Sequence, residues 1–186
     1  MQNIAIDLFC GIGGLTKGLS LAGINVIAGF DIDESCEFAY ERNNNAKFIN
    51  KDINDITSEE INQFFREQDG AKIIVGCAPC QPFSRYSLRY RKEGRTDDKW
   101  RLLYSFSRLV RECMPEIVSM ENVPSLTNEN VFRDFVQQLK ELGYYADWKI
   151  VYCPDYGVPQ KRKRLVLLAS RLGEIQLIPP LYSKGK

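Results

Sequence analysis

The segment GCAPCQPFS, residues 76–84, follows the apolar run KIIV at 72–75, which predicts a short buried strand. Pro79 and Pro82 bracket Cys80, and each proline fixes its own φ and keeps the preceding residue out of a helix. We therefore expect Cys80 on a stiff turn at the end of this strand. A cysteine held in this way is suited to act as a nucleophile if a nearby group stabilises its thiolate. The alternative is a small residue packed in a loop.

The composition restricts the class of protein. The chain has 186 residues, 44% of them hydrophobic, which is enough for one domain with a core. Its net charge is +1, so nucleic-acid binding would depend on local clusters. It has no membrane-length apolar run and no basic leader, and we expect an intracellular, cytoplasmic protein without a membrane partner. Histidine is absent and Cys77 and Cys80 form its one C-x-x-C pair, so we expect no metal site.

The N-terminal residues have the order strand, glycine turn, helix. Residues 3–9 are apolar, residues 10–14 read CGIGG, and residues 15–22 form an amphipathic helical pattern. Such a turn lets the backbone approach a nucleotide-type ligand, although a simple tight turn has the same pattern. Asp31 follows the next predicted strand, 25–30, where these folds place an acid on ribose hydroxyls. Asp33 is the better candidate for a helix cap, which would leave Asp31 free.

The remaining elements alternate between helices and strands. Helices are predicted at 34–43, 57–65, 102–113 and 130–142, with a capping box at Thr57 and Glu60, and strands at 46–50, 72–75, 116–120, 144–152 and 164–169. The last two strands form a pair. An irregular tail follows them.

Polar residues fall where predicted strands end. Glu121 follows the strand 116–120, on the edge expected to hold Cys80, Asp31 and the glycine turn, and ligands bind along this edge in open α/β sheets. The run KRKR at 161–164 enters a buried strand. Such a run is usually a solvated face, but Arg162 and Arg164 would share one face of the strand and reach the same edge.

Residues 81–98 have no regular apolar period, and residues 85–101 mix basic with aromatic residues. Arg85 and Arg89 alternate with Tyr86, Tyr90 and Trp100. This mixture is typical of phosphate contact with base stacking, and the alternative is a solvated surface loop.

Four segments together resemble the cytosine-5 DNA methyltransferases, in the family's order: DLFCGIGG at 7–14, PCQPFS at 79–84, ENV at 121–123 and QKRKR at 160–164. The resemblance covers nearly the whole chain, and PCQPFS with ENV is its most specific part. It implies an α/β fold of the Rossmann-like S-adenosylmethionine-dependent methyltransferase type. The sheet would be mostly parallel, with helices on both faces and a C-terminal antiparallel strand. Residues 1–170 would form the catalytic domain, and residues 171–186 a linker toward a target-recognition domain.

The resemblance also implies a site for S-adenosylmethionine and double-stranded DNA. The residues implied in cofactor binding are Phe9, Gly11, Ile12, Gly13, Gly14, Asp31, Ile32, Asp52, Ile53, Pro79 and Leu102. Cys80 would add to carbon 6 of a flipped cytosine, Glu121 would act at its N3, and Arg162 and Arg164 would hold its O2 edge and favour the thiolate. Contacts with DNA are implied for Gln81, Ser84, Arg85, Arg89 and Asn122.

The sequence also departs from the family. Ile32 stands where an aromatic residue is often found, which predicts weaker stacking on adenine. The target-recognition region and the late Gly-Asn-x-Val segment are missing, so we expect a fragment, a natural truncation or one subunit of a split enzyme with a second polypeptide. Two alternatives stay open, a non-catalytic half that binds a cofactor or partner, and a dithiol oxidoreductase that uses Cys77 and Cys80.

Overall fold

One seven-stranded sheet organises the chain. The computed structural model describes residues 2–66, 69–79 and 101–182, so the predictions for Cys80, Gln81, Ser84, Arg85 and Arg89 lie outside the described residues. The strands are β1 Ile4–Leu8, β2 Asn25–Asp31, β3 Lys47–Asn50, β4 Lys72–Gly76, β5 Ile117–Asn122, β6 Tyr145–Tyr152 and β7 Lys163–Ser170. Their order in the sheet is β3-β2-β1-β4-β5-β7-β6. Strands β1 to β5 are parallel, and β7 runs antiparallel to both β5 and β6, which confirms the predicted sheet.

Five α-helices occur in the described ranges, where the sequence predicted them. They are α1 Gly14–Leu21, α2 Glu37–Asn43, α3 Ser58–Phe65, α4 Arg101–Cys113 and α5 Asn130–Glu141. The capping box of Thr57 and Glu60 is present at the start of α3. The predicted helix 34–43 begins with a 3-10 turn at Glu34–Cys36 instead of an α-helical turn. Further 3-10 turns at Ile53–Asp55, Pro124–Asn128 and Cys153–Tyr156 were not predicted, because such short turns have no apolar period.

Helices cover both faces of the sheet, as predicted. Successive side chains of a strand point to opposite faces, so β1 divides its residues between two layers. Ile4, Ile6 and Leu8 pack in the larger core, which includes buried residues of α3, α4 and α5. Ala5 belongs to a smaller cluster, against which Leu15 and Leu19 of α1 pack.

The tail after β7 passes back beside β6. The backbone N–H of Leu177 donates to Asp147 Oδ2 at 2.9 Å. Further on, the N–H groups of Leu181 and Tyr182 donate to the carbonyl of Asp155, which follows β6. The tail therefore returns toward the edge of the sheet where β6 ends. None of the described helices has the length and apolar composition needed to cross a membrane.

A core substitution tests the packing of the larger layer. Phe106 is fully buried, makes an edge contact with Phe135, and lies where a Cβ on Gly76 would touch its ring. We expect Phe106→Ala to lower the free energy of unfolding by about 3–5 kcal/mol, measured by urea denaturation, because it leaves a cavity. The control is Phe38→Ala, because Phe38 is 81% exposed, and the expected change is within about 0.5 kcal/mol. Equal effects of the two substitutions would contradict this packing.

Candidate active site

Several of the predicted site residues in the described ranges, among them Asp31, Glu121 and Arg164, lie at one edge of the sheet. This edge is called here the carboxyl edge because strands β1 to β5 all end there. Strand β7 is antiparallel to β5 and therefore begins at this edge, where Leu165 pairs with Asn122. The arrangement brings the first residues of β7 next to the last residues of β5. Ligands of open α/β sheets bind along such an edge.

Glu121 and Arg164 form an ion pair at the carboxyl edge. Arg164 Nε lies 2.5 Å from Glu121 Oε1, and both side chains are largely shielded from water, with 18% and 34% exposure. Burial raises the pKa of Glu121, while the thiol of Cys77 and the positive charge of Arg162 act in the opposite direction. The ion pair favours the ionised form of Glu121, whereas burial favours its protonated form. The environment of Glu121 therefore does not strongly favour one of the two forms. Such a group is suited to donate or accept a proton at a ligand.

Arg162 and Arg164 relate to Glu121 in different ways. Arg162 is exposed and its positive charge acts on Glu121, whereas Arg164 forms the ion pair. Strand β7 begins at Lys163, and the carbonyl of Arg162 accepts the N–H of Cys153, so backbone pairing extends to Arg162. The predicted shared face of the two arginines stays a prediction.

Cys77 lies against the carboxylate of Glu121. Its thiol hydrogen-bonds to that group, and burial together with the negative charge of Glu121 raises the pKa of Cys77 far above the usual value for a thiol. The thiol therefore stays protonated near neutral pH. Dithiol exchange needs a reactive thiolate, so this environment counts against Cys77 as a redox partner of Cys80.

Asn122 holds the segment that leads to Cys80. It is 5% exposed, and its Nδ2 donates to the carbonyl of Ala78 at 2.8 Å. Its Oδ1 accepts the N–H of Val123, also at 2.8 Å. Both ends of the amide are thus used within the protein. The bond to Ala78 connects β5 to the residues after β4. The predicted contact of Asn122 with DNA stays a prediction.

The glycine turn after β1 has an unusual backbone. Phe9, Gly11 and Gly13 have φ values of 63°, 50° and 86°, in the left-handed region. Phe9 has a Cβ, and this conformation costs it roughly 1–3 kcal/mol, which is typical of functional sites. A Cβ on Gly13 would overlap Asn44 and Tyr40, so only glycine fits there. The turn therefore presents its backbone at the surface while its underside is tightly packed.

Asp31 is bound to this turn, a contact that the sequence did not predict. Asp31 Oδ2 accepts the N–H of Gly11 at 2.8 Å, and Oδ1 accepts the N–H of Asp33 at 3.0 Å. Asp33 does cap the following turn, as predicted, by accepting the N–H of Ser35. Each carboxylate oxygen has a second lone pair, so Asp31 retains the capacity to accept a ligand hydroxyl.

The other residues predicted for the cofactor differ in exposure. Ile12 and Ile32 are 66% and 51% exposed beside the turn, and Gly14 and Pro79 are also exposed. Asp52 caps the 3-10 turn that follows β3. Ile53 is 5% exposed and belongs to the larger core. Leu102 is partly buried and packs against that core. Ile12, Ile32 and Pro79 are thus exposed in the segments that follow β1, β2 and β4, whereas Ile53 packs inward.

The arrangement fits a ligand with a hydroxylated, partly apolar part. The strained turn brings backbone close to the surface, Asp31 ends β2 beside it, and exposed Ile32 offers an apolar side chain. These are the features that a nucleoside-containing cofactor requires. The described residues contain no cluster of cysteine and carboxylate side chains suited to a metal ion.

Three buried polar residues near the turn were not predicted as functional. Asp7, Thr16 and Tyr40 each have 0% exposure and are connected by hydrogen bonds. One signal was available in the sequence, because Asp7 interrupts the apolar run 3–9, and a charged residue in a buried strand needs a partner. The partners themselves come from two separate helices and carry no recognisable spacing.

Comparisons with known proteins give one family. Residues 4–184 match the family model described as C-5 cytosine-specific DNA methylase. The type II methylase M.HgiDII of Herpetosiphon aurantiacus is 50% identical over 98% of this chain and 51% of its own length, and the type II methyltransferase M.FnuDI of Fusobacterium nucleatum is 34% identical over 89% and 46%. The Dnmt2 methyltransferase of S. pombe has the same fold, with a TM-score of 0.76 at 20% identity over 95% of this chain and 52% of that one. The chain spans about half the length of these proteins.

The buried carboxyl of Asp7 makes a pH dependence of stability testable. Burial raises the pKa of Asp7 from 3.8 to about 7, so between these values the folded chain binds more protons than the unfolded chain. Its contribution to stability therefore decreases as the pH rises from about 4 to 7, by on the order of 4 kcal/mol. We expect Asp7→Asn to remove this decrease in urea denaturation at several pH values. The exposed Asp55→Asn is the control, and an unchanged pH slope in Asp7→Asn would contradict the prediction.

Proposed function

The chain belongs to the C-5 cytosine-specific DNA methylase family, and we propose that it carries the catalytic and cofactor-binding part of an enzyme that methylates carbon 5 of cytosine in DNA. The observation that supports this most is the joint position of Glu121, Arg164 and the segment ending at Pro79 on the carboxyl edge. Cys80 follows Pro79 directly in the sequence. An acid and a cation thus lie at the edge to which the segment preceding Cys80 also leads.

S-Adenosylmethionine is the proposed cofactor and supplies an electrophilic methyl group when bound. The glycine turn would hold its methionine part, Asp31 its ribose hydroxyls, and Ile32 would pack on adenine. Two observations support the fit of these residues to the cofactor: the left-handed backbone of the turn, and the hydrogen bond of Asp31 to Gly11. Asp52, Ile53, Pro79 and Leu102 would border the pocket, Ile53 chiefly through its backbone because its side chain lies in the core.

The protein residues would activate the cytosine. Carbon 5 is a weak nucleophile, and a bond from the Cys80 sulfur to carbon 6 moves electron density onto carbon 5 and toward N3. Glu121 would stabilise this charge by donating a proton to N3, and its raised pKa supports that role. Arg164 would orient Glu121 and carry positive charge near the thiolate. Once carbon 5 carries the methyl group, a base such as water would take the carbon-5 proton, and the bond to Cys80 would break. The cytosine has to leave the helix stack for these steps.

The second half of the relatives is proposed to supply DNA recognition. The chain covers 51% of one relative and 46% of another, so target recognition would come from a longer chain or from a second polypeptide. Gln81, Ser84, Arg85, Arg89 and Asn122 are proposed to add contacts from this part. The half-length coverage also favours a second candidate function, in which this chain binds cofactor or a partner and transfers no methyl group by itself.

Substitution of the two cysteines tests the chemistry. With a polypeptide corresponding to the missing half supplied, Cys80→Ser should reduce methyl transfer to DNA by roughly a thousandfold or more, because the nucleophile is lost. Cys77→Ser is the matched control and should stay within about tenfold of the wild type, since serine still donates to Glu121. Transfer of a labelled methyl group to DNA measures both. Near-normal turnover by Cys80→Ser would refute the covalent mechanism, and equal losses would show that methyl transfer also needs Cys77.

Calorimetric titration of S-adenosylmethionine into the chain tests whether this half holds a complete cofactor site. We expect binding, weakened about tenfold or more by Asp31→Ala, because the ribose loses an acceptor and the turn loses its contact with β2. Asp33→Ala is the control, as this residue caps the next turn. If a folded wild-type chain does not bind, the site needs the other half of the enzyme to be complete.

A further inference from the structure

A chain of buried hydrogen bonds lies behind the glycine turn. Thr16 Oγ1 donates to Asp7 Oδ2 at 2.7 Å and lies 3.1 Å from the hydroxyl oxygen of Tyr40. A threonine hydroxyl has one proton, and here that proton is given to Asp7. While Asp7 is ionised, Tyr40 therefore donates to Thr16, and the hydrogen bonds run in one direction and end on the Asp7 carboxylate.

These three residues fix the position of the turn. They come from β1, α1 and α2, the elements that surround it. The ring of Tyr40 also lies where a Cβ on Gly13 would be, and its hydroxyl lies where a Cβ on Gly29 would be. A shift of Tyr40 or Thr16 would therefore change the backbone next to Gly13. The same backbone is the part that Asp31 holds from the other side through Gly11.

The Asp7 carboxylate, at which these buried hydrogen bonds end, has little around it to stabilise its negative charge. Asp7 Oδ1 is buried and has no hydrogen-bond partner among residues 2–66, 69–79 and 101–182. The titratable groups near Asp7 are Asp31, which carries like charge, and the thiols of Cys10 and Cys77 and the hydroxyl of Tyr40, which are neutral at ordinary pH. A buried carboxylate in this setting is costly, and a positive charge brought close to it would be stabilising.

Building on the proposed function, we propose that Asp7, Thr16 and Tyr40 are positioning residues of the cofactor site, and that the Asp7 carboxylate favours a ligand with a positively charged sulfur. Thr16 and Tyr40 hold the turn in the shape that receives the ligand. Asp7 acts through space, because it is fully buried and touches no ligand. After methyl transfer the sulfur of the cofactor is neutral, so this attraction ends and the product is released more easily.

Calorimetry with S-adenosylmethionine and S-adenosylhomocysteine tests the proposal, because the second compound lacks the charge on sulfur. In the wild type, affinity for S-adenosylmethionine should rise between pH 6 and 8, as Asp7 loses its proton near pH 7. Asp7→Asn should flatten this profile. It should also reduce the preference for S-adenosylmethionine over S-adenosylhomocysteine by about tenfold at pH 8.

Variants of the two hydroxyl groups separate positioning from stability. Thr16→Val and Tyr40→Phe should weaken both ligands by about tenfold, whereas Thr16→Ser keeps the hydroxyl and should bind within about twofold of the wild type. Tyr144→Phe is the matched control, because Tyr144 is also buried and donates to the carbonyl of Pro115 away from the carboxyl edge. Tyr144→Phe should lower the free energy of unfolding without weakening the binding of either ligand.

Two outcomes would overturn the proposal in distinguishable ways. If Asp7→Asn keeps the ligand preference and pH profile of the wild type, and Thr16→Val binds as tightly as Tyr144→Phe, the buried chain contributes to stability alone and the inference is wrong while the proposed function stands. If the folded wild-type chain binds neither compound, the cofactor-binding role of this chain fails, and the inference fails with it.

Discussion

The ion pair between Arg164 and Glu121 depends on the direction of one strand. In a wholly parallel sheet, the residues that begin a strand lie at the opposite edge from the residues that end its neighbour. Strand β7 runs antiparallel to β5, so the basic residues at its start meet the acid at the end of β5. The carboxyl edge therefore contains an acid and a cation that are more than forty positions apart in the sequence, each on a strand that pairs with a neighbour on both sides. The remaining site residues come to the same edge because β1, β2 and β4 end there.

The glycine turn is held from two sides, and this explains how it keeps an unfavourable backbone. Asp31 accepts the N–H of Gly11 above, and Tyr40 packs under Gly13 below. Phe9 has a positive φ that the local sequence alone would not select. Surrounding contacts have to outweigh the strain of such a residue, and the buried polar chain and Asp31 supply them. Ligand binding then requires less reorganisation of the turn.

The sequence predicted the strands, the helices and their order well, because apolar periodicity and the capping box of Thr57 are local signals. It did not predict that Asp31 holds the turn, since Asp31 and Gly11 are distant in sequence and their contact depends on the pairing of β1 with β2. For the same reason it gave Asn122 a ligand role and no structural one. The sequence also could not show that Arg164 contacts Glu121 directly, because that contact depends on the pairing of β7 with β5.

The distribution of charge along the carboxyl edge explains why the net charge of +1 says little about binding. Asp7, Asp31 and Asp52 lie on or just after β1, β2 and β3, whereas the basic run 161–164 lies at the start of β7, on the other side of β4 and β5. The acidic residues and the basic run contribute opposite charges to the net charge of the chain, but they produce local fields of opposite sign at two parts of the edge. A cationic cofactor would be attracted to the first group and a phosphate backbone to the second, with Glu121 between them. Such a separation allows one edge to attract two ligands of opposite charge without mutual interference.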